Sequence, residues 1–301
     1  MNAARVSGSF HMQNMSLENS THVLLARLGW FLHTQLKGNI DQVSQRTRLA
    51  TGTIRRYREH DPARIAAGGS GPQKIPYILR LLDDLGVNPA KLAVALHYSN
   101  DEATFWRLMA CSLCIEERFC LQTRPDGAPK VNRRMIRLDP DDQGPQLEPT
   151  AKRERLGSRL LERFAWFLAE RTRGRIDEIS ALSGVPPATI RRYARKEGAY
   201  VGRSGPQKVG PFLKILAALD VSPPKLAVAA HYGGNDDSFW MIMSSTLCAE
   251  ESLSFAGPGG ATCVKKVHRL DEEGETFSRV GASRGWGTPP GAVQIGPSCQ
   301  G

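Results

Sequence analysis

Residues 176–193 read Ile176-Asp-Glu-Ile-Ser-Ala-Leu-Ser-Gly184-Val-Pro-Pro-Ala-Thr189-Ile190-Arg-Arg-Tyr193. Ile176, Ile179 and Leu182 recur at helical spacing and predict a short helix, with Asp177 near its positive end. Gly184 supplies the left-handed backbone that a tight turn between two helices requires. Pro186 and Pro187 stop one helix and start the next, since proline is tolerated in a first helical turn. Ile190 and Tyr193, three apart, anchor a following helix predicted over 188–196. Its outward positions are then Ala188, Arg191, Arg192 and Arg195.

The stretch occurs twice. Residues 24–57 match 160–193 at 15 of 34 positions, and 70–117 match 204–251 at 24 of 48. The first copy reads Ile40-Asp-Gln-Val43-Ser44 through Thr53-Ile54-Arg55-Arg56-Tyr57, with Arg48 where the second has Gly184. Left-handed backbone costs a non-glycine residue about 1 kcal/mol or more, so the first turn is expected to differ. Further apolar sets (Leu160, Phe164 and Leu168; Phe212, Leu216 and Leu219; Leu226, Val228 and Ala230; Phe239, Met243 and Leu247) predict the remaining helices of the unit.

No segment alternates with period two, so the expected fold class is all-α. It comprises two tandem five- to six-helix units, 24–117 and 160–251, joined by a flexible linker at 118–159. Residues 1–23 are polar and aperiodic, and 252–301 are rich in Gly, Pro and Ser; both are expected to be disordered. Within the linker a short ordered piece is expected at Val131–Leu138.

Forty Lys and Arg against 30 Asp and Glu give a net charge of +10, which favours nucleic acid or an acidic partner. The excess within each unit is small, so local clustering carries more weight. Arg46, Arg48, Arg55, Arg56 and Arg58 all fall in the stretch 46–58, which contains no acid. The Arg-Arg pair recurs beside Thr and Tyr in both copies, which a merely solvated helix face does not explain. The architecture looks like a bacterial helix-turn-helix, whose second helix enters the major groove. Thr51, Thr53, Arg55, Arg56 and Arg58 in one copy, and Ala188, Thr189, Arg191, Arg192 and Arg195 in the other, are the candidate DNA contacts. Arginine forks suit guanine O6 and N7 as well as phosphate.

Ser-Gly-Pro-Gln-Lys stands at 70–74 and again at 204–208, each time before the fourth long helix. It reads either as a structural turn or as a phosphate clamp built from Ser70, Gln73 and Lys74, and from Ser204, Gln207 and Lys208. A lysine held fixed tilts the reading to the clamp. His97-Tyr98 and His231-Tyr232 are expected to pack or cap, and Trp30, Trp106, Trp166 and Trp240 to anchor core or interface.

Other classes recede. No apolar run is long enough to cross a bilayer, so no membrane span or membrane partner is expected, and the N-terminus lacks a signal-peptide apolar stretch. Six cysteines form no even framework and are expected to be reduced thiols in the cytoplasm. Cys111-Ser-Leu-Cys114 has zinc-like spacing, but Ser245 replaces Cys111 in the second copy and no second pair exists, so no metal is expected. With no phosphate-binding glycine loop, clustered carboxylates or nucleophile–base pair, neither catalytic residues nor a cofactor are expected.

The helix order, with Leu85-Gly-Val-Asn-Pro89 and Leu219-Asp-Val-Ser-Pro223 after the helix pair, resembles the phage repressor (Cro/C1-like) DNA-binding domain. More narrowly, Thr53–Tyr57 through Ser70–Lys74, with its twin in 189–208, resembles the DNA-binding part of the C subunit of the flagellar master activator. That family's cysteine-rich zinc site has no counterpart here. The resemblances cover the repeats only, about 180 of 301 residues. They imply a regulator of a kind frequent on phages, plasmids and integrated mobile elements.

The sequence therefore predicts a transcriptional regulator, activator or repressor, that binds specific double-stranded DNA as a covalent pseudo-dimer in the bacterial cytoplasm, at the nucleoid. A flexible linker of that length spans about 32–39 Å, which matches half-sites about 34–36 Å apart. A second regulator subunit, RNA polymerase or a second copy of this chain are further candidate partners. The rival expectation is a helical protein-interaction module that binds another regulator or polymerase.

Overall fold

The computed structural model describes residues 21–68, 70–123, 129–138, 151–197, 199, 204–257 and 260–271. The first copy contributes α1 (21–35), α2 (Ile40–Thr47), α3 (Thr51–Tyr57), α4 (Pro62–Ala66), α5 (Ile75–Leu85), α6 (Pro89–Tyr98) and α7 (Glu102–Ala110). Strands β1 (Ser112–Thr123) and β2 (Pro129–Arg137) follow. The second copy contributes α8 (Ala151–Thr172), α9 (Ile176–Ser183), α10 (Pro187–Tyr193), α11 (Val209–Ala218), α12 (Pro223–Tyr232) and α13 (Asp236–Ser244). It closes with β3 (Thr246–Gly257) and β4 (Gly260–Arg269).

The two compact units do not coincide with the two copies. One unit takes residues 1–89 and 147–223, and therefore holds both helix-turn-helix pairs. The other takes 90–146 and 224–301 and holds α6, α7, α12, α13 and all four strands. Each copy is divided between the units, so neither unit is the product of one copy alone.

In the helical unit, Ile54 and Tyr57 of α3 are buried, and so are their counterparts Ile190 and Tyr193 of α10. Phe164 of α8 meets Phe212 of α11 with ring centroids 5.2 Å apart. The copies also pack on each other. Gly157 of α8 lies close enough to Leu79 and Asp83 of α5 that an added Cβ would be 3.2–3.4 Å from them. Leu25 and Ala26 of α1 cluster with Ile65, and Val209 of the second copy closes that cluster.

The other unit overturns the expected all-α class. Its strands form one antiparallel sheet in the order β2–β1–β3–β4, making the fold mixed α and β. Segments read as linker and tail are strand in 118–123, 129–137, 252–257 and 260–269, and α8 begins at Ala151, inside the expected linker. The ordered piece expected near Val131–Leu138 is the larger part of β2. Leu247, read as the end of a sixth helix, sits in β3.

The reason is physical. Leu113, Cys114, Ile115 and Glu116 are all buried, so this stretch of β1 is covered on both faces and shows no alternation. The charges that suggest a solvated segment are paired across strands instead. The Glu250 carboxylate accepts from Arg137 Nη2 at 2.9 Å and lies 3.2 Å from Lys265 Nζ. Glu116 accepts from Arg269 Nη2 of β4 at 2.7 Å, with Arg133 of β2 at 3.5 Å and Arg118 of its own strand at 3.3 Å. Arg137 belongs to the first copy and Glu250 to the second; Arg269 and Glu116 are the reverse. Each copy's inner glutamate thus holds the other copy's edge strand. The inner strands meet with Cys114 opposite Cys248, equivalent residues of the two copies and both buried free thiols.

Burial alone would push the Glu116 and Glu250 carboxyls up, but the guanidinium and ammonium partners outweigh it and hold both below the usual carboxylate range. A carboxyl whose folded pKa is depressed contributes stability above its unfolded value and loses it as pH falls through the folded one. Thermal melts between pH 7 and 3 are expected to show stability falling below about pH 4. Glu116→Gln should lower stability at neutral pH by about 2 kcal/mol and flatten that acid dependence. An unchanged acid profile would show that these pairs do not set it.

Candidate nucleic-acid interface

The turn between the paired helices is the same in both copies, contrary to the expectation for Arg48. Arg48 caps α2 at φ 55°, ψ 30°, and Gly184 caps α9 at φ 66°, ψ 12°. The first turn is braced by side chains: Ser44 Oγ donates to the Leu49 carbonyl at 2.7 Å and Thr47 Oγ1 to the Val43 carbonyl at 2.6 Å. In the second, Ser183 Oγ donates to the Ile179 carbonyl at 2.6 Å and accepts from Val185 N–H at 3.2 Å. These bonds hold the turn against the strain that Arg48 introduces.

With Ile54, Tyr57, Ile190 and Tyr193 turned into the core, the remaining positions of α3 and α10 face out. Arg55, Arg56, Arg191, Arg192 and Arg195 are exposed, as is Ala188, while Thr51, Thr53 and Thr189 are half-buried. Among the described residues no carboxylate pairs with these five arginines; Arg192 lies 5.9 Å from the centroid of its neighbour Tyr193. Two other arginines of the basic cluster behave differently. Arg46 is taken up by Asp84, Nε at 2.5 Å and Nη2 at 2.8 Å. Arg58 is half-buried, its Nε is shielded without a hydrogen-bond partner, and burial followed by the charge of Arg55 lowers its pKa.

The repeated Ser-Gly-Pro-Gln-Lys segments are built into the fold. Ser70 Oγ donates to the Arg64 carbonyl at 3.4 Å, and Gln73 Nε2 to the Ser70 carbonyl at 3.3 Å. In the second copy Ser204 Oγ donates to the Glu197 carbonyl and Gln207 Nε2 to the Ser204 carbonyl. Gly71 N–H donates to the Arg56 carbonyl at 2.9 Å and Gly205 N–H to the Arg192 carbonyl at 3.0 Å. Lys74 N–H donates to the Tyr57 hydroxyl at 3.1 Å, and Lys208 N–H to the Tyr193 hydroxyl at 3.0 Å. The Ser and Gln side chains of the expected clamp are therefore engaged in turn geometry. Only the Lys74 and Lys208 side chains are left exposed, Lys74 Nζ lying 4.9 Å from the Tyr77 ring centroid.

The two segments also meet each other, which the sequence did not suggest. Lys74 and Lys208 form an antiparallel bridge. Ile75 N–H donates to the Gln207 carbonyl at 3.0 Å and Val209 N–H to the Gln73 carbonyl at 2.9 Å. The tyrosines, read only as core anchors, prove to be the hydrogen-bonded links between the arginine-bearing helices and this bridge. Their recurrence beside Arg-Arg in both copies was the available signal. Burial pushes the Tyr57 hydroxyl up to about 12, so it stays protonated through the neutral range.

Chemically, the site offers two short helices with paired, uncompensated guanidinium groups, and two lysines where the copies join. Such groups bind phosphate and purine edges. Among the described residues no three His, Cys, Asp or Glu side chains cluster to hold a metal, and no helix is long and apolar enough to cross a membrane. No family profile, curated protein or solved structure matches the chain.

Arg48→Gly removes left-handed strain while leaving the Ser44 and Thr47 braces, so it is expected to raise stability by about 1 kcal/mol. Tyr193→Phe deletes the acceptor of Lys208 N–H and should lower stability by about 1–2 kcal/mol. Denaturant unfolding of the two variants beside the parent chain measures both; an Arg48→Gly chain no more stable than the parent would show the turn to be unstrained.

Proposed function

We propose that this chain is a sequence-specific double-stranded DNA-binding transcriptional regulator in which both helix-turn-helix copies act as one covalent pseudo-dimer. The observation that carries the reading is the pair of arginines on α3 and its equivalent on α10, exposed and, among the described residues, without carboxylate partners. A structural arginine is normally neutralised nearby, as Arg46 is by Asp84. Keeping two adjacent pairs of guanidinium groups uncompensated at equivalent places costs self-repulsion that an anionic partner relieves. The helix-turn-helix frame supplies the rest, because its second helix is the one that enters a major groove.

Base-edge and phosphate contacts divide among these groups. Arg55 and Arg191 directly follow the buried Ile54 and Ile190, whereas Arg56 and Arg192 directly precede the buried tyrosines, so the two members of each pair leave the helix in different directions. Thr53 and Thr189, half-buried, are placed for shorter-range contacts. The mode of joining differs from the one the sequence suggested. Both pairs reside in one compact unit and are hydrogen-bonded through the bridge, so no flexible tether is needed to deliver the second reader.

Selection from a random duplex library with the full-length chain, followed by gel-shift titration of the enriched sequence, tests the proposal. Arg191→Ala with Arg192→Ala is expected to weaken specific binding by about 1–3 kcal/mol for a lost base contact and to reduce the salt slope by about 1 per lost phosphate contact. Far-UV circular dichroism of the variant should match the parent. No enrichment of any duplex, or undiminished binding by a folded variant, would favour the protein-interaction module instead.

A further inference from the structure

The pairings between the copies are self-exchanging. Lys74 and Lys208 occupy equivalent places in the two copies and pair with each other. The two bridge hydrogen bonds, Ile75 N–H to Gln207 and Val209 N–H to Gln73, turn into each other when the copies are swapped. An antiparallel bridge between equivalent residues has this property only if a local two-fold axis passes between Lys74 and Lys208. A head-to-tail arrangement would pair unlike residues. The helical packing does not rest on a tether: one hydrogen bond, one residue pair and one further hydrogen bond connect the Tyr57 hydroxyl of α3 to the Tyr193 hydroxyl of α10.

Resting on the DNA-binding reading above, we infer that the operator is an inverted repeat with one invariant centre-to-centre spacing, contacted at its centre by the Lys74 and Lys208 side chains. Two-fold readers demand half-sites related by a two-fold axis. Because α3 and α10 are bonded through the bridge, the distance and rotation between them are properties of the fold, and DNA with another spacing presents its second half-site out of reach or on another face. The arms of the repeat are unequal in sequence. Thr51 and Gly52 of α3 stand opposite Pro187 and Ala188 of α10, so the chain binds in one orientation.

The lysines provide an independent handle. The bridge bonds run between the flanking residues, so Lys74 and Lys208 are a non-hydrogen-bonded pair, whose side chains stand closest in an antiparallel ladder. Both side chains are exposed. Like charges directly opposite each other destabilise a ladder. This pair lies on the axis, beside the tyrosines that hold the reading helices, and phosphates on either side of the operator's centre offset the repulsion. Deleting the charge therefore acts oppositely on the free and bound protein.

The test uses the full chain and the duplex enriched by library selection. Binding is measured for the selected site, for the same half-sites arranged as a direct repeat, and with 1, 2 and 5 base pairs inserted at the centre. The inverted arrangement at a single spacing is expected to bind at least ten-fold tighter than every alternative. Insertion of 5 base pairs, about half a helical turn, should leave only single-half-site affinity. Lys74→Gln with Lys208→Gln is expected to raise the melting temperature of the free chain while weakening operator binding, with a salt slope smaller by about 2. Equal affinity across spacings, or a preference for the direct repeat, overturns the inference and leaves DNA binding standing. Unchanged operator affinity of the double lysine variant removes those side chains from the centre. Failure to bind any duplex overturns the DNA-binding reading itself, separately from the geometry.

Discussion

Two backbone hydrogen bonds between residues 73–75 and 207–209 fix how the two helix-turn-helix copies face each other. Each is worth only about 1 kcal/mol net, far too little to hold the helices together. That task falls to apolar burial around Leu25, Ala26, Ile65 and Val209, and along Gly157 against Leu79. Burial is non-directional, however, and tolerates small slides and rotations. The bridge does not. A slip of one residue would leave Ile75 and Val209 without their Gln207 and Gln73 acceptors and would break the pairing of Lys74 with Lys208. Strength comes from the apolar contacts and register from the bridge.

The sheet solves the same problem with charge. Glu116 and Glu250 lie inside β1 and β3, and each carboxylate is held by an arginine from the other copy's edge strand. Buried ion pairs contribute little net stability because desolvation offsets their attraction. What they do enforce is pairing, since a misregistered edge would leave a buried carboxylate alone. With Cys114 opposite Cys248 at the centre of the β1–β3 ladder, the sheet has the same self-exchanging symmetry as the bridge. Both compact units are therefore assembled from halves of each copy, and both carry a two-fold relation of their own.

The helices of the candidate site were legible because their determinants are local. Gly184, Pro186–Pro187 and the Ile190–Tyr193 spacing act within a few residues, and the second copy repeats them. The sheet was not legible, for a reason visible at Leu113–Glu116: a strand buried on both sides gives no alternation, and its flanking charges resemble a solvated linker until their partners, far away along the chain, are known. Arg137 finds Glu250 and Arg269 finds Glu116 only in three dimensions. The Ser-Gly-Pro-Gln-Lys repeats were legible as important but not as to purpose. Their partners are the Arg56 and Arg192 carbonyls, the tyrosine hydroxyls and each other, and no local pattern encodes a contact between one copy and the next.

Placing both halves of a two-fold assembly on one chain removes a constraint that a homodimer cannot escape. In a homodimer every substitution appears twice, so the reading helices are identical and so is any strain. Here the strain is distributed unequally. Arg48 takes the left-handed turn where the other copy has Gly184, and Asp220 takes it where the other has Gly86, at φ 54° against 67°. Thr51-Gly52 corresponds to Pro187-Ala188 at the start of α3 and α10, and Tyr77, whose ring lies 4.9 Å from Lys74 Nζ, corresponds to Pro211. The positions that set register between the copies stay equal: the tyrosines, the bridge lysines, the inner glutamates and the opposed thiols. Identity also extends to the exposed Arg55-Arg56 and Arg191-Arg192 pairs, whereas the apolar contacts between the copies are unequal: Val209 stands where the first copy has Ile75, and Ala26 where the second has Glu162.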